Sequence, residues 1–225
     1  VALMPGSRTQ EVRVLAGVLA SSAASLLARD PEIAFIVPVA QAAHRARIAS
    51  EVGRHGLGER IRFCDDSHTA LRAADAAILA SGTASLEAAL LGVPMVIAYK
   101  VSALTYLVLR TAIAAGLIES GTVGLPNLIL GRPVVPEFAQ KPATPAVIAA
   151  EAWSLLTDES RQAQVAAALR EVSALVTRPG SVEAVAGTLV TLARRRTTAA
   201  APAAARDRDR VGRRSRDGAE MEAES

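Results

Sequence analysis

The chemistry legible in this chain centres on Ser81, Gly82, Thr83 and Glu87, together with Arg8. The first four belong to Ala80-Ser-Gly-Thr-Ala-Ser-Leu-Glu87, which lies between an apolar run at residues 76–80 and another at 88–91. The first run reads as a buried strand and the second as helix. The chain therefore turns at Ser81-Gly82, and a helix opens at about Thr83. Glycine lets the backbone approach a ligand closely. The first amides of a helix have no partner within it and carry the positive end of its dipole, which suits a phosphate. Glu87, about one turn further on, is placed to reach a ribose or sugar hydroxyl beside that phosphate. Ser-Gly-Thr before a helix is also ordinary capping chemistry, and an acid in a first turn favours the dipole anyway. With Thr83 as the cap, Glu87 falls four residues later, one too many for a capping box. The pattern alone leaves a ligand site and a plain cap both open.

Arg8 closes a second turn of this kind, Pro5-Gly-Ser-Arg8, which follows the apolar run 1–4. Arginine grips a diphosphate through its planar fork. At the start of a helix it opposes the dipole, which favours a role toward a ligand. Two helix N-termini plus Arg8 make a site for an anion. Such a site stabilises a departing nucleoside diphosphate without a metal.

Other chemistries lack their residues. His44, His55 and His68 are scattered and Cys64 is alone, so no zinc spacing exists. No Walker-type loop, Gly-x-Gly-x-x-Gly or Gly-x-Ser-x-Gly occurs, which argues against P-loop phosphotransferases, nicotinamide dehydrogenases and serine hydrolases. Asp65-Asp66 reads as a solvated pair rather than a metal site, and neither a metal nor a cofactor is expected.

The elements that hold these turns alternate. Strands are expected at 1–4, 33–37, 61–64, 76–80 and 94–99, and helices at 9–28, 41–52, 69–74 and from Thr83 to Gly92. That alternation predicts an α/β fold, a doubly wound parallel sheet of Rossmann-like type. Ligands of such sheets sit beyond the carboxyl ends of the strands, where both glycine turns fall. Residues 102–118 read as a buried helix, with an interfacial helix as the alternative. Residues 121–128 read as an extended piece ending in a loop, in which Asn127 bonds a ligand or its own turn. Residues 131–136 are irregular, and 145–156, 159–176 and 181–195 are helical by spacing.

Composition sets the frame. Of 225 residues, 51% are hydrophobic and 3% aromatic, enough for a real core built of Ala and Val. The single cysteine excludes an internal disulfide framework and suggests a reducing compartment. No signal peptide is visible, and the chain opens at Val1 inside an expected strand, which points to a fragment of a longer protein. Net charge is +3, with much of the basic excess in Arg194–Arg196 and 206–216. Arginine alternating with aspartate there cannot bury much surface and predicts a disordered, solvated tail, with binding to anionic lipid or nucleic acid as the alternative. The expected organisation is a Rossmann-like nucleotide-sugar domain at 1–143, C-terminal helices packing on it at 144–196, and the Arg-rich tail at 197–225.

Pro5-Gly-Ser-Arg8, Ser81-Gly-Thr-Ala-Ser-Leu-Glu87, Gly92-Val-Pro-Met-Val-Ile-Ala-Tyr-Lys100 and Leu125-Pro-Asn-Leu128 occur here in one order. Together with Gly131-Arg-Pro-Val-Val-Pro-Glu137 and Gln140, they resemble the C-terminal half of lipid-A-disaccharide synthases, inverting glycosyltransferases of the two-domain GT-B type. The resemblance runs from Val1 to about Ala193. It implies a half that binds the UDP part of UDP-2,3-diacylglucosamine. The acceptor, 2,3-diacylglucosamine 1-phosphate (lipid X), and the catalytic base would belong to an N-terminal acceptor domain absent from this chain. Carried over by position, Gly6, Ser7 and Arg8 would meet the diphosphate, and Ser81, Gly82, Thr83 and Ser85 would cradle it. Glu87 would hold the ribose, Asn127 and Gln140 would line the donor pocket, and Tyr99 and Lys100 would stand at the strand exit. The resemblance further implies peripheral association with the inner face of the bacterial inner membrane, a cytoplasmic setting and a possible homodimer. Gly124 departs from the serine usual in the family before Leu-Pro-Asn. Another UDP-sugar GT-B donor domain, of a UDP-N-acetylglucosamine transferase or a 2-epimerase, is the nearest rival. A binding module without catalysis is the rival from another class.

Overall fold

The computed structural model describes residues 1–39, 41–100, 111, 122–177, 180 and 185–193. The expected helix at 102–118, apart from residue 111, and the Arg-rich tail lie outside them. Two compact units divide the chain, Val1–Val176 and Thr177–Ser225. In the second, residues 185–193 are helical and exposed.

The first unit is built on six parallel strands, β1 (Ala2–Met4), β2 (Phe35–Pro38), β3 (Ile61–Cys64), β4 (Ala77–Ala80), β5 (Met95–Tyr99) and β6 (Glu137–Ala139). They lie in the order β3-β2-β1-β4-β5-β6. The central strands are apolar throughout rather than alternating, because helices cover both faces. Every residue of β1 and β4 is buried.

Helix α1 (Thr9–Leu27) presents Val12, Leu15, Leu19, Ala23 and Leu26 to the core at helical spacing. It packs against α2 (Ala42–Arg54) and against α6 (Pro145–Thr157). The other packed group comprises α3 (Ser67–Arg72), α4 (Thr83–Leu90), α5 (Leu125–Leu130) and α7 (Glu159–Val176). α6 and α7 belong to the same compact unit as the sheet.

One expectation is corrected, and one strand is added that the sequence does not predict. Residues 125–130 form helix α5, not an extended piece, because Pro126 occupies the first turn, where no amide partner is needed. Residues 137–139, left unassigned from the sequence, complete the sheet as β6, with Ala98 paired to Phe138.

The strand order reverses between β1 and β4. β1 leads to β2 on one side, whereas β4 leads to β5 on the other. Met4 and Leu79 are register partners, so the turns after these two strands leave the same edge side by side.

Candidate functional site

At the β4–α4 corner, Gly82 is the N-cap, one residue earlier than expected. Its φ of 151° and ψ of −162° belong to a region essentially restricted to glycine. A Cβ there would meet nothing within 4 Å, so the requirement is conformational rather than steric. The glycine brings no capping side chain, and the amides of Thr83 and Ala84 have no hydrogen-bond partner among the described residues. Ser81 Oγ donates to the Val123 carbonyl at 2.7 Å, tying the corner to the segment before α5. Ser85 is fully buried and donates back to the Gly82 carbonyl at 2.7 Å, so it holds the corner from beneath.

Glu87 lies one turn into α4, and its Oε2 accepts from Ser67 Oγ at 2.8 Å. Ser67 opens α3, whose N-cap is Asp66. The Asp66 carboxylate accepts from the amides of His68 and Thr69 and from Thr69 Oγ1 at 2.6 Å. The Thr69 hydroxyl and amide bonds hold this carboxyl below its ordinary value against an opposing desolvation, with the His68 amide bond and charge adding to the lowering. Asp66 is therefore committed to capping.

The β1–α1 corner is built differently. Arg8 is the N-cap of α1, and its guanidinium is 82% exposed. Arg8 Nη1 donates to Glu11 Oε1 at 2.9 Å. Glu11 Oε2 accepts from the amides of Ser7 and Arg8 at 3.2 and 3.3 Å. The carboxylate folds back so far that a Cβ on Gly6 would stand 2.4 Å from Oε2. Gly6, at φ 109°, is required here both for its backbone conformation and for this close approach.

Both corners open on one cleft of about 610 Å³. Gly6, Ser7, Arg8, Ser81, Gly82, Thr83 and Glu87, all singled out from the sequence, line it. Glu11, Asp66, Ser67 and His44 line it too and were not singled out as site residues. His44 is buried, with Nε2 3.3 Å from Thr9 Oγ1. The signal for Glu11 was its place three residues after a turn residue, as in a capping box. Nothing local in the sequence marked Ser67 as the partner of Glu87, twenty residues away.

Ser85, Tyr99, Asn127 and Gln140 do not line the cleft. Asn127 is 1% exposed. Its Oδ1 accepts from the Val134 and Val135 amides at 2.7 and 2.9 Å, and its Nδ2 donates to the Val135 carbonyl and to Glu137 Oε2. Glu137 also accepts from the Val123 and Gly124 amides. The segment carrying Val123, which receives the Ser81 hydroxyl, is thus fixed from behind. A Cβ on Gly124 would crowd the ends of the Ile97 and Glu137 side chains, which would have to shift to admit it. Tyr99 ends β5, and its carbonyl accepts from the Gln140 amide. Gln140 takes a left-handed conformation at φ 61°.

A reversal of strand order flanked by two glycine corners and a cleft at the carboxyl edge defines a doubly wound domain of the Rossmann type. The chain belongs to the lipid-A-disaccharide synthetase family, whose model matches residues 1–184. It is 42% identical over 166 residues to the lipid-A-disaccharide synthase of Pseudomonas aeruginosa, covering 73% of this chain and 42% of that protein. It is 39% identical over 183 residues to the enzyme of Anaeromyxobacter dehalogenans, covering 80% of this chain and 46% of that protein. The chain therefore spans less than half the length of these relatives. A solved structure of the glycotransferase of kitacinnamycin aligns with a TM-score of 0.47 at 16% identity, over 77% of this chain and 38% of that one.

Proposed function

We propose that the chain is the donor-binding half of a lipid-A-disaccharide synthase with the GT-B architecture. In the complete enzyme, 2,3-diacylglucosamine passes from UDP-2,3-diacylglucosamine to the 6-hydroxyl of lipid X, giving the disaccharide 1-phosphate and UDP. One observation carries the assignment. In a chain of this family, the Arg8 and Gly82 corners face a single cleft at the point where strand order reverses.

In the mechanism, a base outside this chain takes the proton of the acceptor hydroxyl. The acceptor oxygen bonds to the anomeric carbon as the bond from that carbon to the β-phosphate oxygen breaks. The electron pair leaves on the diphosphate. The Thr83 and Ala84 amides, at the positive end of α4, face the charge that develops, and the exposed Arg8 guanidinium adds its charge. Glu87, oriented by Ser67, accepts from a ribose hydroxyl. Asn127 and Glu137 act behind the site by holding the segment that Ser81 grips. Association with the inner face of the inner membrane and a homodimeric state belong to the same proposal. No helix among the described residues is long and apolar enough to cross a membrane.

Calorimetric titration tests the assignment. The expected result is that UDP binds this chain saturably and that uridine, which lacks the diphosphate, binds far more weakly. Absence of UDP binding removes the donor role.

A further inference from the structure

The two corners that meet at the cleft are not equivalent. They leave neighbouring strands at matched register, Met4 beside Leu79. Adjacent strands run roughly 4.8 Å apart, so a polyphosphate is long enough to lie across both corners. At the β4–α4 corner the Thr83 and Ala84 amides are open to the cleft among the described residues. At the β1–α1 corner the Ser7 and Arg8 amides, which would cradle an anion, are already taken by the Glu11 carboxylate. The same carboxylate pairs with the Arg8 guanidinium, but that side chain is 82% exposed and reaches into solvent, so the Glu11 oxygens are the charge that sits at the amides themselves. Gly6 is shaped to let that carboxylate in.

We propose that Glu11 is a specificity-determining residue of the donor site. Resting on the donor-site assignment, the inference is that Glu11 plugs one of two adjacent anion seats with a built-in anion. The cleft then accepts the diphosphate of UDP at the β4–α4 corner and repels a ligand whose charge runs on to the β1–α1 corner. A nucleoside triphosphate is such a ligand. Asp66 and Glu87 face the cleft from the α3–α4 side and stay in place when Glu11 is changed. A substitution at position 11 therefore reads Glu11 together with the Arg8 guanidinium that it releases.

The test is calorimetric titration of UDP and UTP into the full chain and its Glu11→Gln variant, in metal-free buffer with chelator. Glutamine keeps the shape and an oxygen for the Ser7 and Arg8 amides but removes the charge. The expected result is that the unaltered chain prefers UDP to UTP and that the variant narrows the gap about tenfold, chiefly by gaining UTP affinity. A merely structural role for Glu11 would shift both nucleotides together. Equal affinity for UDP and UTP in the unaltered chain overturns the inference, as does an unchanged gap in the variant. Should the variant not fold, salt decides. A gap set by charge closes as ionic strength rises, and a gap that persists at high salt overturns the inference. Loss of all UDP binding by the unaltered chain is a different result, which fails the donor-site assignment itself.

Discussion

Replacing Asn127 with alanine should destabilise the domain rather than act on ligand binding directly. The side chain is 1% exposed and serves three buried backbone groups, the amides of Val134 and Val135 and the carbonyl of Val135. Val134 and Val135 are themselves buried, so water does not readily replace the lost partner. A buried polar group left unsatisfied costs about 1–3 kcal/mol. Two orphaned amides, partly relieved by relaxation, bring the total to about 2–4 kcal/mol. That is a large part of the ~5–15 kcal/mol that holds a typical domain. Urea unfolding followed by the fluorescence of Trp153, which packs on the core, reads this out. With a slope of about 2 kcal/mol/M, the midpoint should fall by roughly 1–2 M. Asn127→Asp should be no milder, because its second oxygen would face the Val135 carbonyl and the Glu137 carboxylate. A midpoint shift below about 0.3 M, with UDP affinity lost in the folded variant, would refute this reasoning and return Asn127 to the ligand.

Four further outcomes follow from the same geometry. Gly82→Ala should destabilise by about 1–3 kcal/mol through backbone strain alone and abolish UDP binding, since a Cβ meets no neighbour; thermal melting and titration check both. Ser67→Ala should weaken UDP several-fold through the freed Glu87 carboxylate while changing the urea midpoint little, the lost bond being worth about 1 kcal/mol. Arg8→Ala in the complete enzyme should lower kcat by roughly a hundredfold with the fold intact, because its exposed ion pair contributes little to stability. The lowered Asp66 carboxyl makes α3 pH-sensitive. The folded state binds this proton less readily than the unfolded chain, so its contribution is present above the ordinary value of 3.8 and is lost as pH falls through the lower folded value. Asp66→Asn should remove that share of the acid limb in stability measured against pH.

Strands 1–4, 76–80 and 94–99 stand out in the sequence as apolar runs because their strands are buried on both faces. The corners stand out because their glycines interrupt those runs. What was hidden has physical causes. β6 is three residues, Glu-Phe-Ala, half in and half out of the core, and has no period to read. α5 was obscured by Pro126, which marks a helix start as readily as a turn. Glu11 was passed over because a carboxylate does not advertise an anion site, yet here it fills one corner of it. The sequence has Arg8 aim at a ligand, whereas in the structure its Nη1 donates to Glu11 Oε1. The engagement of Asn127 with the backbone of residues 134–135 rests on a turn between α5 and β6 that only the folded chain reveals.

The most direct measurement is amide NMR of the nitrogen-15-labelled chain titrated with UDP and, separately, with uridine. The Thr83 and Ala84 amides should shift strongly with UDP and hardly with uridine, while the Ser7 and Arg8 amides, held by Glu11, should move little with either. Shifts confined to other surfaces, or Thr83 and Ala84 unmoved at saturating UDP, would contradict a diphosphate seat at the β4–α4 corner.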